Sequence, residues 1–290
     1  MARVICAGHV NWDVTLRVDH LPDPDGEARI ESESGDGGGS AANVAAALTG
    51  LGQSAAVLGA VGDDERGRAA REKLDAAGVD CTHLVEAPDA KTSVKYLVVD
   101  DGGQVMVLGG CGTNESFGAA ALPDDALADA DHLHLTGQRP ATAAELARRA
   151  TEAGVRVSFD PGRRIVARDF ADTLSRSDVL FLNAREAETV LSAGTVDADR
   201  QVLVVKRGVD GAEVRAPGGT WSHPGYSVDV LDTTGAGDAF AAGFVASLLE
   251  GDDYGRAVAV ANATGALAAT VVGARPSLSW AAVESLVDGA

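Results

Sequence analysis

From Asp131 to Thr270 short apolar runs and longer helical stretches take turns, and this alternation constrains the fold more than any other feature of the chain. His132 to Leu135, Val155 to Phe159, Val179 to Leu182 and Val202 to Val205 read as buried strands. Helical patterns fall at Ala141 to Ala153, from Ala184 onward, at Ala236 to Glu250 and at Arg256 to Thr270. A strand that returns through a helix must run parallel to its predecessor, so the pattern predicts an α/β, doubly wound, mostly parallel sheet with helices on both faces. The first third adds strands at Val4 to Ala7 and Ala55 to Ala60 and helices at Ala41 to Leu51 and Glu65 to Ala77, stopped by Gly52 and Gly78. Ala28 to Ser34, with Ser93 to Asp100 and Gln104 to Leu108 flanking Asp101-Gly102-Gly103, reads as a small separate β-sheet. We therefore expect one domain over residues 1–290, with a lid inserted at about 14–36 and 91–112. Ligands of such a sheet bind at the carboxyl ends of its strands.

Composition narrows the partners. The 290 residues carry 43 acidic and 24 basic side chains, a formal charge of −19, which repels nucleic acid and anionic membranes. Only Lys73, Lys91, Lys95 and Lys206 are lysines; with so many aspartates, this points to a protein of a high-salt cytoplasm, where screening quiets self-repulsion. Cys6, Cys81 and Cys111 form no CxxC pair, so neither a disulfide framework nor a zinc site is expected. Met1 to Val10 has no signal-type apolar region, and no span of about 20 apolar residues occurs, which predicts a cytoplasmic location.

The chemistry concentrates in Asp232-Thr233-Thr234-Gly235-Ala236-Gly237-Asp238-Ala239-Phe240, a Gly-rich turn running straight into a helix. The free N–H groups of a first helical turn make an anion site. An acid inside that turn can take a proton from a hydroxyl while the N–H groups hold charge on a phosphoryl group. The plainer alternative is that Asp232 or Asp238 only caps the helix. Asn183 and Glu186 share one helix face; they either orient water around Mg²⁺ or form an ordinary cap. Lys206, after an apolar strand, either reaches nucleotide phosphates or is a solvated loop charge. Asp13 alone is as easily a turn residue as a ligand. His132 and His134 alternate on a strand without a third ligand, so no metal is expected there. The Gly235-x-Gly237 pair lacks the third glycine of a dinucleotide fingerprint.

The nine-residue string resembles the second signature of the PfkB family of carbohydrate kinases, which have the ribokinase-like fold. Gly37-Gly38-Gly39-Ser40-Ala41-Ala42-Asn43 resembles the first signature, Gly8-His9-Val10-Asn11-Trp12-Asp13 the opening strand, and Asn183-Ala184-Arg185-Glu186 the NxxE motif. The resemblance implies ATP-dependent phosphoryl transfer to a hydroxymethyl group of a small sugar, with Asp238 as general base and Gly235, Ala236 and Gly237 as the anion hole. Asn11, Asp13, Gly38, Gly39 and Asn43 would surround the sugar. Asn183, Lys206, Gly208, Gly211, Gly237 and Asn262 would bind ATP, and Asn183 and Glu186 would hold Mg²⁺ through water. Asp232, Thr234, Ala268, Val271, Gly273 and Ser277 resemble a K⁺ site. A homodimer through the lid is implied, and the lid would close to exclude water.

Lys206-Arg207 departs from the family's usual Thr-Leu, and Thr136-Gly137-Gln138 stands where ribokinases carry a Glu. Two other readings keep the fold: a nucleoside kinase, with Trp12 and Phe117 as a base slot, and a catalytically silent sugar- or nucleotide-binding regulator. Of these we expect a neutral monosaccharide kinase, because Lys95, Arg139, Arg163 and Arg164 are the only cations in reach and none adjoins a motif residue.

Overall fold

A computed structural model describes residues 3–110, 112–197 and 199–289; Cys111 lies outside them. The strands are β1 (Arg3–Ala7), β2 (Asn11–Val18), β3 (Ile30–Gly38), β4 (Ser54–Gly62), β5 (Leu84–Ala87), β6 (Val94–Asp100), β7 (Val105–Gly109), β8 (His132–Thr136), β9 (Arg156–Asp160), β10 (Val179–Asn183), β11 (Val202–Lys206), β12 (Ala212–Ala216) and β13 (Gly219–His223). The helices are α1 (Ser40–Gly50), α2 (Glu65–Ala76), α3 (Asp124–Ala128), α4 (Pro140–Glu152), α5 (Ala171–Arg176), α6 (Ala184–Ser192), α7 (Ala236–Glu250), α8 (Tyr254–Ala269) and α9 (Trp280–Asp288). None of them is long and apolar enough to cross a membrane.

Among the described residues, nine strands form one sheet in the order β13-β12-β11-β10-β9-β8-β1-β4-β5. From β11 to β5 every pairing is parallel. Only β12 and β13 add an antiparallel edge. Successive side chains of a strand point to opposite faces, and the core divides accordingly. Val4 and Cys6 of β1 pack with α1, α2, α7, α8 and α9 on one face. Ile5 and Ala7 pack with Leu127 of α3, Leu146 of α4, Leu174 of α5 and Val190 of α6 on the other. The expected helices on both faces are therefore present.

Phe181 shows how this core fixes the site. It is fully buried on β10 and meets the rings of Phe240 and Phe244 edge-on, at 6.5 and 5.6 Å. Removing so large a buried side chain costs about 3–5 kcal/mol, so the start of α7 is held firmly over the end of β10.

The small sheet has the order β3-β2-β6-β7. It differs from the sequence expectation in one respect that matters. Asn11–Val18 is itself a strand of this sheet, paired antiparallel to β3 and parallel to β6. Asn11 to Val18 alternates polar and apolar residues without a break, a period-2 strand signal that the sequence reading passed over. The consequence of the pairing is that Asp13 belongs to the small sheet and faces the carboxyl end of the large one.

Candidate active site

Five parallel strands end on one floor, roofed by the small sheet. Gly8 and His9 follow β1, Thr136 ends β8, and Asp160, Asn183 and Lys206 end β9, β10 and β11. The string 232–240 descends onto this floor as α7 begins. Gly235 stands at the helix N-cap with φ +78°, and a Cβ there would lie 2.4 Å from the Ala274 carbonyl oxygen. Only glycine takes that backbone without strain.

No side chain caps α7. Ala236 N–H turns back to Thr233 O at 3.2 Å. Among the described residues the N–H groups of Gly235, Gly237 and Asp238 have no backbone or side-chain acceptor. These orphan donors stand at the positive end of a buried helix, an arrangement that suits an anion.

Asp238 follows in the same turn. Its Oδ2 accepts from Asn43 Nδ2 at 2.8 Å. Burial pushes its carboxyl up to about 6; Asp160 pushes the same way, while the Asn43 hydrogen bond, Lys206 and Lys95 restrain the rise. A carboxylate in that range is a competent proton acceptor at neutral pH. Asn43 is aimed by a third residue: Arg275 Nε donates to Asn43 Oδ1 at 3.0 Å, and Arg275 Nη2 to Gly38 O at 2.8 Å. Arg275 was missed by sequence reasoning. It lies 232 residues from Asn43, and no local pattern announces such a contact.

Asn11, Asp13, Gly38 and Asn43 are brought together by the β2–β3 pairing and by Arg275. Gly38 lies against Asp13, and a Cβ on Gly38 would sit 2.1 Å from Asp13 Oδ2, so only glycine admits the carboxylate there. Burial raises the Asp13 carboxyl, opposed by Lys95 and Arg275. Both amide atoms of Asn11, Asp13 Oδ1, His9 Nε2, Asn114 Oδ1, Thr136 Oγ1, Gln138 Oε1 and Arg275 Nη1 are buried without a hydrogen-bond partner. A buried polar atom left unpaired costs about 1–3 kcal/mol. So many around one floor mark a place built to engage a polyhydroxylated molecule. Gly39 closes the same wall as the N-cap of α1.

The expectation that no cation adjoins a motif residue is overturned. In the β2–β6 register Lys95 stands opposite Asp13. The strand pairing that brings them together is non-local, which is why the sequence hid it. The base slot is also not formed. Phe117 is buried in the core on one face of the large sheet, and Trp12 packs against the core on the other.

Lys206 is no solvated loop charge. Its Nζ donates to Asp160 Oδ2 at 2.5 Å and lies 3.8 Å from where a Gly237 Cβ would be. Burial opposes its charge, but Asp160, Glu186 and Asp238 more than offset this and raise its pKa. Asp160 was missed as a site residue, although its position at a strand end was a usable signal.

Asn183 and Glu186 form a capping box: Asn183 Oδ1 accepts from Glu186 N at 2.9 Å and Glu186 Oε2 from Asn183 N at 2.8 Å. Glu186 is buried, which raises its carboxyl, and Asp160 adds to the rise. Its Oε1 takes no hydrogen bond among the described residues, so one oxygen remains for a ligand near Lys206 and Asp160. No group of three or more His, Cys, Asp or Glu able to hold a metal directly occurs among the described residues.

A cleft beyond the anion turn is lined by Lys206, Gly208, Gly211, Gly237 and Asn262, with Tyr226, Val228, Val230 and Phe240. Asn262 donates one amide N–H to Val258 O at 2.7 Å, leaving its oxygen and its second N–H. Asp232 ties two loops: Oδ1 accepts from Thr234 N and Oδ2 from Gly273 N, each at 2.9 Å. Ala268 O accepts from Val271 N at 3.4 Å, and Val271 and Ser277 are exposed. His132 and His134 share Ser158 Oγ at 2.7 and 2.8 Å in the core and take no part in the site.

Comparison with known proteins agrees with this geometry. Residues 1–281 match the model of the pfkB family carbohydrate kinases. The ATP-dependent ribose-1-phosphate kinase of Halopiger xanaduensis is 53% identical over 295 residues, covering 99% of each chain. A nucleoside kinase of Methanothermobacter thermautotrophicus is 28% identical over 269 residues, covering 86% of this chain and 84% of the other. The crystal structure of the Methanocaldococcus jannaschii nucleoside kinase, described as an archaeal member of the ribokinase family, superposes with a TM-score of 0.89 at 21% identity, covering 100% of this chain and 99% of that one. With a ribokinase-like fold, an acid in an uncapped helix turn and a family match over nearly its whole length, the chain belongs to the PfkB family of carbohydrate kinases and is an ATP-dependent sugar kinase.

Proposed function

We propose that this enzyme transfers the γ-phosphoryl group of ATP to the primary hydroxyl of ribose 1-phosphate. The observation that carries the chemistry is Asp238, a carboxyl pushed up to about 6 in the turn whose N–H groups have no other acceptor. In the step, the C5 hydroxyl oxygen attacks Pγ, the bond from Pγ to the β-bridging oxygen breaks, and ADP leaves. The hydroxyl proton passes to Asp238. The N–H groups of Gly235, Gly237 and Asp238, with Lys206 beside them, hold the charge on the moving group.

Asn11, Asp13, Gly38, Gly39 and Asn43 surround the sugar, and Gly208, Gly211 and Asn262 line the nucleotide cleft. Mg²⁺ fits at Asn183 and Glu186 through water, where it would neutralise phosphate charge. K⁺ is assigned to the loop pair tied by Asp232, with Thr234, Ala268, Val271, Gly273 and Ser277 around it. Residues 1–290 work as one domain, with the small sheet as a lid that excludes water. β7 exposes Val105, Met106, Val107 and Leu108, and we place a homodimer contact on that lid. The acidic, Lys-poor surface supports a salt-adapted, cytoplasmic enzyme.

The substrate departs from the neutral monosaccharide expected from the sequence. The relative at 53% identity is named for ribose 1-phosphate, and Lys95 and Arg275 both face Asp13. The test is ADP release with ribose 1-phosphate, ribose, fructose, 2-keto-3-deoxygluconate, fructose 1-phosphate and adenosine at equal concentration. Ribose 1-phosphate should lead in kcat/KM by more than tenfold, about 1.4 kcal/mol in transition-state binding. A nucleoside or free sugar ahead by that margin refutes the reading.

A further inference from the structure

One corner of the floor is strongly cationic in a chain that is otherwise acidic. His9 is buried. Its ring is pushed down to about 4, first by burial and then by Arg164, with Lys95 and Arg168 acting in the same sense; Glu115 alone opposes them. His9 is therefore neutral at working pH, and its Nε2 is buried with no hydrogen-bond partner. Glu115 Oε1 is 3.8 Å away, too far to serve. Arg164 Nη1 donates to Glu115 Oε1 at 3.1 Å. Arg168 donates to the same oxygen and to Gln138 O. Lys95 forms no ion pair among the described residues, although its charge is felt at His9, Asp13 and Asp238.

The charges on this side do not balance. Lys95, Arg164, Arg168 and Arg275 face Asp13 and Glu115. Asp238 and Asp160 share Lys206 on the nucleotide side. Asp36 is exposed and paired with Lys73 at 3.0 Å. Asp36 and Asp238 also act on Arg275, so the under-neutralised cations of this corner are Lys95, which has no ion pair among the described residues, and Arg164 and Arg168, which share the single carboxylate of Glu115. Burial first and then Arg168 lower the Arg164 pKa, and Glu115 does not make up the difference. A neutral sugar has nothing to offset partly buried cations, whereas a phosphate has.

We propose that His9, Lys95 and Arg164 form a subsite for the phosphate already carried by the substrate, with Glu115 as the internal carboxylate that holds Arg164 and Arg168 in place. The assignment rests on the sugar-phosphate reading of the substrate and adds where selectivity resides. Arg164 supplies paired N–H donors, Lys95 a point charge reaching in from the lid, and His9 Nε2 a neutral donor from beneath. Because Lys95 sits on β6 and Arg164 beside the carboxyl end of β9, a phosphate between them ties the lid sheet to the large sheet. The subsite thus discriminates ribose 1-phosphate from ribose and couples that choice to lid closure.

The test compares the intact enzyme with Lys95→Gln, Arg164→Gln and Arg164→Lys at constant KCl, each checked for an unchanged melting profile. Inorganic phosphate binding is measured by calorimetry with the nucleotide side saturated by a non-hydrolysable ATP analogue. Phosphate should bind the wild type. Both Gln variants should bind it at least tenfold more weakly, lower the kcat/KM ratio of ribose 1-phosphate to ribose at least tenfold, and Arg164→Lys should recover part of each loss. A wild type that turns over ribose 1-phosphate with both quantities unmoved in the Gln variants overturns the subsite. If the wild type ignores ribose 1-phosphate yet loses phosphate binding in the variants, the subsite stands and the substrate reading falls. If inorganic phosphate does not bind at all, the subsite falls.

Discussion

Replacing Asp238 by Asn separates two consequences of one placement. The fold holds this carboxyl at about 6, against 3.8 for the unperturbed group. At about 1.4 kcal/mol per unit, a charged Asp238 burdens the folded state by about 3 kcal/mol at pH 8. The sign follows from the direction of the shift. A raised folded-state pKa favours the protonated form, so stability is intact below pH 3.8 and is lost as pH rises through 6. Asp238→Asn removes the charge while its new amide oxygen can still accept from Asn43 Nδ2. The variant should therefore be more stable than the wild type by up to about 3 kcal/mol at pH 8, and by about half of that at pH 5. Turnover should meanwhile fall by about 10² to 10⁴, with substrate and ATP binding largely kept. Urea melts at the two pH values, with steady-state kinetics, give both numbers. The wild-type kcat should rise through pH 6 to a plateau. A variant that is no more stable at pH 8, or that keeps more than a tenth of wild-type kcat, would refute the reasoning.

Two further outcomes are expected. Glu186→Gln preserves the capping box through its amide oxygen but removes the charge near Lys206, so the Mg²⁺ concentration for half-maximal rate should rise while sugar affinity stays; an unshifted Mg²⁺ titration would remove Glu186 from any metal role. Stability should hold or improve at molar KCl, because a Debye length of about 3 Å at 1 M salt screens the self-repulsion of the acidic surface; a melting temperature that falls steadily with KCl contradicts salt adaptation.

What the sequence disclosed and what it withheld follow from the range of the interactions. The string 232–240 announces itself because its turn, its glycines and its acid are contiguous, and α7 begins at Ala236 as periodicity predicts. The parallel strands were legible because a strand buried on both faces must be a continuous apolar run. The hairpin of β12 and β13 turns at Pro217-Gly218 and escaped notice although that dipeptide is a turn signal. Helix α9 escaped too, despite Ser279, whose Oγ accepts from Ala282 N at 3.3 Å. For Asn183 and Glu186 the local capping alternative proved structurally real, and any metal role has to be built on top of it. Arg275 and Glu115 lay beyond reach for a different reason, and Lys95 and Arg164 could be named only as cations in reach, without their partners. Each earns its place through contacts made across strand register or between loops far apart in the chain, and no pattern within a short window encodes that.

The same non-locality explains how an enzyme of charge −19 can bind ATP and, on the proposed reading, a sugar phosphate. A uniformly acidic protein repels ATP and a sugar phosphate alike. This chain has four lysines in all. One of them, Lys206, sits near the start of α7 beside Asp160, and another, Lys95, stands opposite Asp13 in the small sheet. Lys73 and Lys91 are exposed. Half of the lysines thus lie in the cleft, where burial strengthens their field and salt screens it least. Dissolved salt can then quiet the acidic exterior without silencing the cationic floor. In Asp160 and Glu115 each cationic cluster also carries an internal carboxylate. That keeps the cations folded inward rather than reaching for the acidic surface, and makes them selective for ligands that compete better than a carboxylate does.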